Sequence, residues 1–120
     1  SDTRRLWDVG AEQVALVAPD RIALSRRLRV ELTLQEVLES VVTVGTESPT
    51  LVLVEGYKRS RVPKIEVIRA ACNPQPLQDL EHRLACVTDV SGLTLDCPML
   101  ALNDVAGVVE LLLSYAEGGA

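Results

Sequence analysis

Residues 51–70 read LVLVEGYKRSRVPKIEVIRA. An aliphatic run delivers a carboxylate, Glu55, and a glycine, Gly56, and four cations follow at Lys58, Arg59, Arg61 and Lys64. A carboxylate directly after a buried strand is an arrangement that holds Mg²⁺, directly or through water, beside nucleotide phosphates. The hard cation takes oxygen ligands, and a strand fixes the carboxylate more firmly than a loop. Gly56 permits a sharp turn and a close approach to a ligand. Lys58 and Lys64 then meet phosphate or carboxylate as point charges, and Arg59 or Arg61 meets them bidentately. The same residues also describe a strand end followed by a solvated, charged loop that keeps an exposed edge soluble.

A second acid, Asp89, ends LACVTD. At a strand end it can accept hydrogen bonds from a base or a ribose, or it can start the TDVSG turn by bonding to its own backbone. Glu55 and Asp89 as paired catalytic acids form a third reading, although no spacing in the sequence sets the distance between them. Nucleophilic catalysis finds no support, because the one histidine, His82, lies in a polar stretch and no serine or cysteine sits in an elbow motif. Cys72, Cys86 and Cys97 are odd in number and widely spaced, which argues against a zinc or haem site and fits free thiols in a reducing cytosol.

Certain elements must position these residues. SDTRRLWDVG reads as a short helix capped by Ser1 or Asp2 and stopped by Gly10. QVALVA reads as a short buried strand, Pro19-Asp20 as a turn, and RIALSRRLRVEL carries strand signals with imperfect alternation. TLQEVLESVVTV is a helix with a Thr33–Glu36 capping box, broken by GTESPT. LVLV is expected in the middle of a sheet covered on both faces, and PKIEVIR is expected as a half-buried strand. RLACVT is another buried strand, CPMLAL is short and extended, and Asn103 with Asp104 caps a helix that Gly118-Gly119 ends. The alternation predicts a layered α/β domain over residues 1–120, with a mixed or mostly parallel sheet and flanking helices. Ligands in such sheets sit beyond the carboxyl ends of the strands, where Glu55 and Asp89 are expected.

The net charge of −5 repels nucleic acid and acidic membranes, so an anion site must be a local patch. Residues 58–64 form the first candidate, and Arg26, Arg27 and Arg29 the second. There is no signal peptide, and no apolar run approaches the ~20 residues of a membrane span. A cytoplasmic protein with no membrane and no nucleic-acid partner is expected.

The ordered segments resemble the molybdopterin-guanine dinucleotide biosynthesis adaptor family, MobB. LVLVEGYKRSRVPKIEVIR is similar to the family's strand–Glu-Gly-aromatic-Lys–Pro-Lys-Ile signature. SDTRRLWDVGAEQVALVAPDRIAL resembles its Asp-Ser/Thr-led helix, the turn and the strand after it. LACVTDV and LALNDVAGVVELLL resemble its last strand and its Asn-Asp-Val helix. Trp7 departs from the pattern, standing where the family often has a basic residue.

That resemblance implies a P-loop NTPase-like fold that binds GTP with Mg²⁺, forms a homodimer and works beside a molybdopterin guanylyltransferase (MobA-like). It implies an acidic, Mg²⁺-side role for Glu55, a turn at Gly56, and ligand contacts from Lys58, Lys64, Asp89, Asp2 and Thr3. The family's first strand and its GxxxxGK[ST] loop find no counterpart in these 120 residues. The expectation is therefore a fold incomplete at the N-terminus and a chain that is not an active GTPase alone. It is either the C-terminal part of a longer protein or a relative that has lost hydrolysis. The alternative function is a non-catalytic oligomerisation or docking module whose basic loop 58–64 holds an acidic protein or an anionic cofactor.

Overall fold

The computed structural model describes residues 1–42 and 51–118, and the chain divides into two compact units, Ser1–Leu51 and Val52–Ala120.

In the first unit, α1 (Asp2–Asp8) begins where Ser1 Oγ accepts the Arg4 N–H, and it stops at Gly10. The φ of +102° at Gly10 is one that only glycine adopts without strain. The strands β1 (Gln13–Ala18) and β2 (Arg21–Arg26) pair antiparallel across the Pro19-Asp20 turn. This hairpin is exposed along nearly its whole length, contrary to the expectation of a buried QVALVA strand. A two-stranded ribbon has two open faces, and among the described residues α1 is the element packed against β1.

α2 (Leu34–Ser40) has the expected capping box. Thr33 Oγ1 accepts the Glu36 N–H at 3.2 Å, and Glu36 Oε2 accepts the Thr33 N–H at 2.8 Å. The helix is shorter than the apolar periodicity predicts. Ser40 Oγ turns back onto the Glu36 carbonyl, and the β-branched residues that follow are poor helix formers. Val41 and Val42 lie past its end, and residues 43–44 of that expected helix and the GTESPT break lie outside the described residues.

The second unit holds a wholly parallel sheet of β3 (Lys64–Ile68), β4 (Arg83–Thr88) and β5 (Met99–Leu100), in the order β3-β4-β5. Ile68, Ala85, Cys86 and Val87 form its buried core. α3 (Val105–Gly118) follows β5 through a short turn. Asp104 Oδ1 accepts the Gly107 N–H at 2.9 Å, so Asp104 is the residue that caps this helix by side chain. The molecule is thus a mixed α/β protein with a parallel three-stranded sheet and flanking helices, as the alternation of elements predicts.

LVLV corrects the sequence reading most. Residues 51–54 have no regular structure, and Leu51 and Leu53 are 57% and 74% exposed. An apolar run becomes a central strand only when a neighbouring strand takes up its N–H and C=O groups and layers cover both faces. Among the described residues no strand pairs with this segment. These residues therefore stay exposed rather than entering a sheet. Among the described residues, no helix is long and apolar enough to cross a membrane.

Candidate functional site

Glu55 follows the exposed LVLV segment and is itself exposed on a loop rather than held at a strand end. The chain then turns through two residues of positive φ, Gly56 at +88° and Tyr57 at +52°. A Cβ at Gly56 would meet nothing within 4 Å, so glycine serves the backbone conformation there and leaves the turn open to an approaching group. Lys58 is exposed, and among the described residues it forms no ion pair.

Of the other cations of this loop, Lys64 is committed, whereas Arg59 and Arg61 are engaged in part and remain exposed. Lys64 Nζ donates to the carbonyls of Ser60, Val62 (2.8 Å) and Glu81 (3.0 Å). An ammonium has three protons, so none remains for an incoming anion unless one of these bonds breaks. Lys64 closes the loop instead of offering its charge outward. Arg59 Nη1 donates to the Gln78 carbonyl at 2.9 Å, and Arg61 Nε lies 3.8 Å from Glu81 Oε2 at an exposed position. The 57–62 loop is pinned in this way to residues 78–82, just before β4.

Parallel pairing then separates residues expected to share a pocket. Lys64 opens β3 opposite Arg83, whereas Asp89 follows Thr88, the partner of Ile68. At ~3.3 Å per residue the strands place these two residues roughly 16 Å apart along the sheet, at opposite ends. Asp89 instead ties the carboxyl ends of β3 and β4 together, because its Oδ1 accepts the Ala70 N–H at 2.8 Å. Thr88 Oγ1 accepts the Val90 N–H at 2.9 Å, which forms the turn that the TDVSG spacing suggests.

Asp2 and Thr3 belong to the first unit. Asp2 opens α1 and suits the positive end of its dipole, and Thr3 Oγ1 lies 3.2 Å from Ser1 Oγ. Two members of the second cationic patch, Arg26 and Arg27, are also engaged. Arg26 Nε donates to Gln13 Oε1 at 3.0 Å, and the Arg27 guanidinium lies 4.1 Å from the centre of the Trp7 ring.

Sequence reasoning did not find the pair that organises the second unit, Glu66 and Arg83. Glu66 is 6% exposed inside β3, and Arg83 Nε donates to its Oε1 at 2.9 Å. Glu66 Oε2 accepts the Leu77 N–H at 2.7 Å, while Arg83 Nη2 donates to the Leu77 carbonyl at 3.0 Å. This network fixes the connection between β3 and β4, the segment against which the basic loop leans. A lone acid among apolar residues in KIEVI was the available signal. Glu66 and Cys86 are cross-strand partners, and burial, followed by the charge of Glu66, pushes the Cys86 thiol up from its ordinary value of 9.0.

Among the described residues no three of His, Cys, Asp or Glu gather as a metal cluster. A Mg²⁺ that keeps several waters needs only one or two carboxylates together with phosphate oxygens. Glu55, with Lys58 three residues on, fits that modest requirement. Lys64, its three protons bonded to carbonyls, is not placed to add a second charge beside such phosphates.

A family model described as molybdopterin guanine dinucleotide synthesis protein B matches residues 1–89. The chain is also 31% identical over 120 residues to the molybdopterin-guanine dinucleotide biosynthesis adapter protein of Escherichia coli (strain K12). That match covers 97% of this chain and 66% of the relative, so the chain spans just under two thirds of the length of the curated protein it matches.

Proposed function

Because the chain belongs to the molybdopterin guanine dinucleotide synthesis protein B family, we propose that it is an accessory protein of molybdenum-cofactor biosynthesis. In this role it assists a MobA-like guanylyltransferase that attaches GMP to molybdopterin in the cytoplasm. The observation that carries this reading is the family match, which covers the first compact unit and the second as far as Asp89, including the whole 51–64 loop.

The loop suggests how the protein takes part. Glu55 and Lys58 are exposed on either side of a glycine turn, and Lys64 and Arg59 hold the loop by its backbone and by that of the following connection. On this reading GTP with Mg²⁺ is engaged at Glu55, Gly56 and Lys58. A bound Mg²⁺ would supply charge neutralisation at phosphate oxygens, and Glu55 would hold it directly or through water. Lys58 would add a mobile point charge, and Gly56 would let the backbone approach. On this reading the role of the loop is binding and presentation.

A second reading rests on the exposure of Lys58, Arg59 and Arg61 together: the loop docks an acidic face of the partner enzyme. One reconstitution separates the two. The chain is added to a guanylyltransferase, molybdopterin, GTP and Mg²⁺, and formation of the dinucleotide is followed. Stimulation supports the accessory role, and no stimulation at any ratio of the two proteins refutes it. If Glu55→Ala and Lys58→Ala both weaken GTP binding, the loop is a nucleotide site. If Lys58→Ala weakens only capture of the enzyme, the loop is a docking surface. We propose further that the chain forms a homodimer, as the family resemblance implies, and light scattering of the chain alone tests this.

A further inference from the structure

The whole net charge of −5 lies in the last third of the chain. Residues 84–120 carry five acids and no lysine or arginine, while residues 1–83 balance twelve acids with twelve cations. Within this acidic segment α3 is apolar on two sides. Val108, Leu111 and Leu112 are half-buried, whereas Val105, Val109 and Leu113 are 71%, 48% and 59% exposed. The exposed three recur every four residues, so they form a stripe along the helix beside the half-buried face. A surface helix needs one apolar face, and a helix that is apolar most of the way round is normally covered.

Charge says what covers this stripe. Glu110 and Glu117, seven residues apart and so on one side of the helix, line an open groove of about 500 Å³ together with Val109 and Leu113. Both glutamates are exposed, and among the described residues neither forms an ion pair. α3 itself carries no cation to offset them. A second copy of the chain would set this acidic surface against another of the same sign, which opposes self-association here. A partner surface that is apolar and rimmed by cations meets both features at once.

We propose that this face of α3 docks a basic amphipathic helix of a partner protein, with its apolar stripe on Val105, Val109 and Leu113 and its lysines or arginines against Glu110 and Glu117. A row at every fourth position is the ridge that a second helix packs against. The 14 residues of α3 give a row of about 21 Å, which a partner helix of roughly four turns matches. Apolar contact supplies the affinity, and the charges at the rim select a basic partner and fix its orientation. The surface lies within the second unit and beyond residues 1–89, so it is independent of the 55–58 loop and of the accessory role.

The test is fluorescence anisotropy of a labelled leucine–lysine peptide of ~18 residues, patterned so that its leucines line one helical face, titrated with the 120-residue chain. A leucine–glutamate peptide of the same pattern and a leucine–lysine peptide of scrambled order serve as controls. The patterned leucine–lysine peptide is expected to bind saturably, with each control at least about tenfold weaker. Leu113→Ser should weaken binding by about tenfold. Glu110→Lys combined with Glu117→Lys should transfer the preference to the leucine–glutamate peptide. All three positions are exposed, and the charge-reversed chain keeps the test alive if Leu113→Ser disturbs the helix. Ile22→Ser, at an open apolar position of the hairpin, should leave binding unchanged. No binding, equal binding of the scrambled peptide, no transfer of preference on charge reversal, or an equal loss in Ile22→Ser overturns the proposal. A dimer that light scattering shows to be lost in Leu113→Ser would assign the face to a second copy and overturn it as well. A chain that stimulates guanylyl transfer yet ignores the peptide loses this surface and keeps its accessory role.

Discussion

Arg83 donates to Glu66 from the first residue of the neighbouring parallel strand, through Nε at 2.9 Å and with Nη2 at 2.8 Å from the same carboxylate oxygen. The two side chains are 18% and 4% exposed. Removing one partner leaves the other charge buried and also frees the Leu77 N–H or carbonyl. Glu66→Ala or Arg83→Ala should therefore destabilise the chain by about 3 kcal/mol, whereas replacing both by apolar residues of similar size should cost much less. Urea unfolding of the two single variants and the double variant measures this. Single variants within ~0.5 kcal/mol of the parent, the range of ordinary surface substitutions, would show that the pair is not structural.

Lys64→Met keeps the length of the side chain and deletes three hydrogen bonds to backbone carbonyls. Bonds from a charged donor contribute about 1.5–3 kcal/mol each, enough to open a surface loop without unfolding the sheet. Limited trypsin digestion should then cut after Arg59 and Arg61 at least tenfold faster, while the global urea midpoint moves much less. An unchanged cleavage rate would mean that the loop is held by something else.

Gly107→Ala should destabilise, although alanine is the better helix former. A Cβ at this position would lie 2.8 Å from Asp104 Cγ and still closer to its Oδ2, which forces the capping carboxylate away. Loss of the cap costs about 1 kcal/mol, which cancels the similar gain in propensity, so the strain of displacing the carboxylate sets the sign. A lowered thermal midpoint in Gly107→Ala, but not in Gly107→Ala combined with Asp104→Ser, would confirm the clash.

Cys86 is fully buried and its thiol is pushed up, first by burial and then by Glu66 and Cys97, with Arg83 opposing. The folded state therefore holds this proton to higher pH than the unfolded chain does. Below the ordinary thiol value of 9.0 the contribution to stability is complete, and it is lost as pH rises from there through the folded value. Cys86→Ala should flatten the decline in stability above pH 9.0 relative to the parent. In the native protein, the exposed Cys72 should react with a thiol reagent well before Cys86 does.

Local grammar was legible wherever a single segment contains its own reason. The Thr33–Glu36 box, the Gly10 stop, the Pro19-Asp20 turn and the cap at Asp104 each depend on residues within four positions of one another. β3 and β4 were legible from β-branched and apolar runs, and the 51–70 block carried the family. The candidate site was less legible. Lys58 and Lys64 look alike in sequence, yet one projects into solvent and the other is surrounded by carbonyls from two loops.

Composition, capping and turn residues alone determined that this chain forms an α/β protein with a charged glycine turn ahead of a buried strand. Tertiary structure decided which apolar runs became strands, which cations remained open, and which acids share an end of the sheet. LVLV and RLACVT have equal claims to burial as strings, but among the described residues only the second has neighbouring strands to accept its backbone bonds. The direction of pairing put Lys64 and Asp89 at opposite ends of β3 and β4. Both outcomes depend on partners far away in the chain, and hydrogen bonds and burial between distant segments leave no mark in the spacing of either one.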